Sequence, residues 1–88
     1  MAERFELGQI VISRQGKDNG LKYVVSGFEA DGRIKLIRPS RFNVSKPKTK
    51  NPKHLQSTLR CAENLLDLIK AGKDIDAGYF FRSVGVEN

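Results

Sequence analysis

The chain reads as a mainly β domain with an α C-terminus: a small barrel or rolled sheet of four or five strands, a basic extended connector, then a helix plus a short helical tail. Three observations predict this. β-rich runs of strand length, parted by glycine-bearing turns, fill the first half. A stretch rich in lysine and proline, with no large apolar residue, follows. Leucine and isoleucine then recur at helical spacing. Eighty-eight residues supply one modest core. We therefore read 1–88 as a single domain, with the barrel over 5–45, the connector over 46–56 and the helical part over 57–86.

Each element has its own signal. Leu7–Ser13 is rich in β-branched residues. Gly16-Lys17-Asp18-Asn19-Gly20 is a turn cluster, because glycine and asparagine tolerate positive φ. Leu21–Phe28 is a second β-rich run, and Asp31-Gly32 is a hairpin signal. In Arg33–Arg38, Ile34 and Leu36 share one face while Arg33 and Lys35 take the other. Arg41–Val44 is a shorter candidate strand. Ser45–Pro52 has two prolines and three lysines, and nothing with which to bury a face.

The predicted helix begins at an N-cap, Ser57 or Thr58. Leu59, Ala62, Leu65, Leu66 and Ile69 form its apolar stripe, and Gly72 follows its end. Asp76 is placed to cap a second helix, in which Ala77, Phe80, Phe81 and Val84 share a face. One core is expected to hold Phe28, Ile34, Leu36, Leu65 and Ile69. Phe5, Phe42, Phe80 and Phe81 also read as core, whereas Tyr23 and Tyr79 are candidates for contact with a partner.

Composition narrows the function. The lone Cys61 and lone His54 can form neither an internal disulfide nor a four-ligand zinc site. Cys61, on the apolar side of the predicted helix, reads as a small core residue. No Ser, Asp, Glu and His converge on a catalytic pattern, so an enzyme is not expected, and neither is a cofactor, a metal or a small-molecule substrate. No apolar run reaches the ~20 residues that span a bilayer. The N-terminus lacks the basic-then-apolar order of a signal peptide. The expected setting is the cytoplasm, without membrane contact.

A net charge of +6 favours a polyanionic partner, and its distribution is uneven. From Gly32 to Ala62 there is no acid, while the same stretch carries nine lysines and arginines. Solvated faces ordinarily mix signs. Lys46, Lys48, Lys50 and Lys53 on an extended segment could follow a phosphate backbone. In the Gly16–Gly20 turn, backbone N–H groups and Lys17 could approach a phosphate, although no P-loop pattern is present.

Val11–Gly27, VISRQGKDNGLKYVVSG, resembles a KOW motif, with Gly20 in the place of the motif's glycine. Lys46–Thr58, KPKTKNPKHLQST, resembles the basic connector in bacterial relatives of the large-subunit ribosomal protein of the archaeal and eukaryotic fourteen-e type. The likeness runs from about Leu7 to Val84. It implies an SH3-like (KOW) barrel and RNA binding on or near the ribosome. Ribosomal RNA is the foremost implied partner, with ribosomal proteins beside it. The implied RNA-facing residues are the motif loop Arg14–Lys22, with Arg14, Lys17 and Lys22, and the connector lysines Lys46, Lys48, Lys50 and Lys53; the acid-free charge pattern adds Arg38 and Arg41 after the third strand, and His54 stands beside the connector. Arg38-Pro39-Ser40-Arg41 departs from the family, where a small turn with Asp or Gly is common. The same electrostatics suit DNA, as in transcription factors that carry KOW domains, and SH3-like barrels also serve as protein-interaction modules.

Overall fold

The computed structural model describes residues 4–85, so the two ends of the expected domain, with Val86 as the last residue of its helical part, lie outside the described residues. Five strands form one antiparallel sheet: β1 (Gln9–Ser13), β2 (Lys22–Phe28), β3 (Ile34–Ile37), β4 (Lys48–Lys50) and β5 (Leu55–Cys61), in the order β4-β3-β2-β1-β5. Two short helices follow, α1 (Leu66–Lys70) and α2 (Ala77–Val84).

The first two turns form where glycine permits them. Between β1 and β2, Gly20 takes φ +92° and its N–H donates to the Ser13 carbonyl at 2.7 Å. Between β2 and β3, Gly32 takes φ +96°.

The sheet curls because its edges are tied in sequence. β4 and β5 stand at opposite ends of the strand order, yet only residues 51–54 separate them. Four strand spacings of about 4.8 Å would put the edges of a flat sheet about 19 Å apart. Three of the four linking residues form a 3-10 turn, Pro52–His54, which advances only about 2 Å per residue. So short a link cannot cross a flat sheet. The curl brings the edges toward each other, although β4 and β5 share no ladder.

Two apolar clusters result. Strand alternation sends Ile10, Val24 and Ile37 to one face, where Ala62, Leu65, Ile69, Ile75, Phe80 and Val84 cover them. Val11, Tyr23, Val25, Ile34 and Leu36 point to the other face and join Leu55, with Phe5 and Phe42 at the margin. The single core expected to unite Ile34 and Leu36 with Leu65 and Ile69 is thus divided by the sheet itself. Phe28 belongs to neither cluster and is 49% exposed, because β2 runs past the covered part of the sheet before the hairpin.

The helix expected from Ser57 is replaced over its first turns by β5. β1 would otherwise present an unpaired edge, and β5 satisfies it. Thr58 does not cap a helix. Its hydroxyl donates to the Ile10 carbonyl at 2.6 Å, where the β1–β5 register shifts between Gln9 and Val11. Consequently Leu59 is fully exposed, and Cys61 is exposed instead of buried. Only the end of the stripe is helical: a 3-10 turn at Glu63–Leu65 runs into α1.

The expected connector is also more ordered than its composition suggested, since Lys48–Lys50 pairs with β3. Conversely, Arg41–Val44 is not a strand. Arg38 and Phe42 exchange N–H···O bonds of 2.9 and 3.0 Å, Asn43 and Lys46 do so at 3.2 and 3.0 Å, and two tight turns follow one another. Asn43 anchors the C-terminal part. Its amide donates to the Ile75 carbonyl at 2.9 Å and accepts from the Ile75 N–H at 2.8 Å. Asp76 caps α2 as the sequence predicts, accepting from the Tyr79 N–H at 3.1 Å.

Candidate nucleic-acid interface

The loop between β1 and β2, the turn after β3, and β4 enclose an open groove of about 400 Å³. Asp18, Tyr23 and Lys50 line it, as do the carbon surfaces of Leu21 and Phe42. Its charged border is Lys17, Arg38, Arg41 and Lys48.

The inner groups form a closed network. The Tyr23 hydroxyl donates to Asp18 Oδ2 at 2.8 Å, and Lys50 Nζ donates to Asp18 Oδ1 at 3.0 Å and to the Gln15 carbonyl at 3.2 Å. Lys48 Nζ stands 3.8 Å from the same carboxylate. Burial works to raise the Asp18 pKa, but hydrogen bonds from Lys50 and Tyr23 outweigh it and hold the carboxyl at about 2. Burial and the Asp18 charge push the Tyr23 hydroxyl upward. Among the described residues Asp18 is the one carboxylate lining the groove, and it is already engaged. The four border cations therefore face no other carboxylate in the groove among the described residues.

The four border cations are positioned differently. Arg38 donates to the Lys22 carbonyl at 2.9 Å, and its guanidinium carbon lies 5.1 Å from the Phe81 ring centroid, which ties the groove to α2. Arg41 and Lys48 lie 5.6 and 4.9 Å from the Phe42 centroid. Lys17 is exposed on the loop. Between Arg38 and Arg41, Ser40 takes φ +94°, which among the described residues no other non-glycine does. That conformation costs a serine roughly 1–2 kcal/mol, and Ser40 too lines the groove.

The remaining expected contact residues are dispersed. Arg14 is exposed and its guanidinium donates to the Gln56 side chain. The Arg14 N–H bonds the His54 carbonyl at 2.8 Å, so Arg14, Lys53 and the half-buried His54 gather at the start of β5. Lys46 is exposed at the second tight turn, and Lys22 is half-buried at the start of β2. Lys50 differs most from the expectation. Its side chain is 13% exposed against an Asp18 side chain that is 14% exposed, which makes it a brace for the loop. Tyr23 is buried, so its ring is not free to stack on a base, while Tyr79 is half-buried with its hydroxyl against Asn64.

Sequence reasoning held Asp18 and Leu21 only as part of the Arg14–Lys22 loop, with no role of their own, and missed Ser40 as a groove residue. Asp18 looks like any turn aspartate, because Lys50 stands 32 positions away. Phe42, assigned to the core, serves both the core margin and the groove. The arginines flanking Pro39-Ser40 were the available signal for that turn. Among the described residues there is no cluster of three His, Cys, Asp or Glu side chains able to hold a metal, and no helix long and apolar enough to cross a membrane. No protein-family model and no curated protein matches the chain.

Proposed function

We propose that this protein binds RNA by neutralising its phosphates at the groove border and at the exposed Lys46 and Lys53, and that the domain is a KOW-type, SH3-like barrel acting on or near the ribosome, with ribosomal RNA as its main ligand. The observation that carries the reading is the convergence of Lys17, Arg38, Arg41 and Lys48 on one groove whose only carboxylate among the described residues is held by internal partners. A strand–loop–strand over the KOW-like segment and a sheet curled by a four-residue link support the barrel assignment. Fold alone does not fix function, so the weight rests on the charge.

Counterion release supplies the affinity. Lys17, Arg41, Lys46 and Lys53 make no ion pair among the described residues and stand ready to meet phosphates. Lys50, by contrast, organises the loop that presents Lys17. Phosphate contacts position the protein without reading sequence, so recognition is by the shape of a folded RNA.

The test is the salt dependence of binding. Five neutralised phosphates give a slope of log affinity against log salt of about −3.5 on single strands, or about −4.5 on a duplex by analogy with B-form DNA. Changing Lys17, Arg41, Lys46 and Lys53 together to glutamine should flatten the slope by about 3. A salt-independent affinity, or a quadruple variant that binds like the parent, would overturn the proposal. Capture from cells that resists RNase would favour a protein partner instead.

A further inference from the structure

The border cations account for phosphate, but they leave the inner surface of the groove unexplained. A phosphate site needs donors and charge. This groove also exposes carbon. Leu21 is one of three exposed large apolar side chains among the described residues, and it lines this groove together with the half-buried Phe42 ring. The space, about 400 Å³, is far more than one phosphate occupies. At about 30 Å³ per water of liquid volume, it could hold roughly thirteen waters. It falls within the roughly 300–1,000 Å³ range of small-molecule sites, large enough for a base with its ribose.

We propose that the groove receives one unstacked nucleotide of the bound RNA, its base against Leu21 and the edge of Phe42 and its phosphate on Lys17 and Arg41. This rests on the RNA-binding reading above and adds a requirement for an unpaired residue. Three features suit a flat, neutral base between charged neighbours. Leu21 and Phe42 supply apolar contact. Arg41 and Lys48 lie near the Phe42 ring, within reach of a base edge. The Ser40 turn holds both arginines at the mouth in a conformation that serine adopts only under constraint, and such strain concentrates at ligand-binding positions. A phosphorylated peptide could also meet the cations, and the test below separates it from RNA.

Three short RNAs of the same flanking sequence separate the outcomes: a fully paired duplex, the same duplex with one unpaired adenosine, and one with an abasic residue at that position. The adenosine-bulged duplex should bind about tenfold more tightly than the paired one, within the range of base-stacking effects. The abasic duplex should bind like the paired one, which excludes simple bending of the RNA as the cause. A 2-aminopurine in the bulge should change its emission on binding.

Leu21→Ser should erase the preference for the adenosine-bulged duplex over the paired one. Its fold should persist, because the Leu21 backbone bonds to Asp18 and Ser13 do not involve the side chain. Lys17→Gln should weaken all three RNAs alike. Equal binding of the paired and bulged duplexes, or a preference that survives Leu21→Ser, overturns the nucleotide site and leaves the RNA-binding reading standing. No binding to any of the three overturns both, and specific binding of a phosphopeptide in their place would reassign the groove.

Discussion

Replacing Asp18 with asparagine removes the charge at the centre of the groove network while keeping the side chain's shape. The wild-type carboxyl is held at about 2 against an ordinary 3.8; burial opposes the shift, and the hydrogen bonds from Lys50 and Tyr23 overcome it. A tenfold change in acidity corresponds to about 1.4 kcal/mol, so the ionised form gains at most about 2.4 kcal/mol from folding. The groove is open to water, and screening there reduces this to about 1–2 kcal/mol. Asp18→Asn should lose that amount at pH 7, a fall in melting temperature of roughly 4–16 °C for a domain of this size.

The pH dependence follows from the sign of the shift. A folded-state value below the unfolded one means that the contribution is complete above about pH 4–5 and disappears as pH falls toward 2. Urea unfolding of both proteins at pH 7 and near pH 2 measures this. The gap between them should shrink to a small fraction of its pH 7 size in acid, where roughly half of the wild-type carboxyl is protonated. A gap under about 0.3 kcal/mol at pH 7, or one that persists unchanged in acid, would refute the network as a source of stability.

Other substitutions check the remaining architecture. Leu65→Ala should cost about 2–4 kcal/mol in chemical unfolding because Leu65 is fully buried. Leu59→Ala should change stability by less than about 0.5 kcal/mol, since in β5 its side chain is exposed; a large loss there would restore the helical reading of this segment. Gly20→Val should cost about 1–2 kcal/mol or more from backbone conformation alone, as nothing lies within 4 Å of an added Cβ. Asn43→Ala leaves the Ile75 backbone groups without their partner and should cost about 1–3 kcal/mol, read by thermal unfolding and by faster hydrogen exchange in α1 and α2.

Much of the fold was written locally. β1, β2 and β3 follow from β-branched alternation. The turns at Gly20 and Gly32 follow from residues that accept positive φ, and the α2 cap follows from Asp76. The acid-free run from Gly32 to Ala62 supplies three of the four border cations of the groove, Arg38, Arg41 and Lys48. These features depend on residues close together in the chain, and there the sequence is sufficient.

What only the tertiary structure decided depends on distant partners. The stripe Leu59–Ala62–Leu65–Leu66–Ile69 suits a helix by spacing, but the open edge of β1 recruits its first part as β5, because an unpaired edge offers backbone bonds that local propensity cannot outweigh. The lysines at 46–53 look equivalent along the chain. Folding sets Lys46 and Lys53 in solvent, Lys48 at the groove border and Lys50 against Asp18. Sequence alone determined how much charge this protein carries and on which stretch. The curl of the sheet, fixed by the short link between its two edges, decided which of those charges remain available to a ligand.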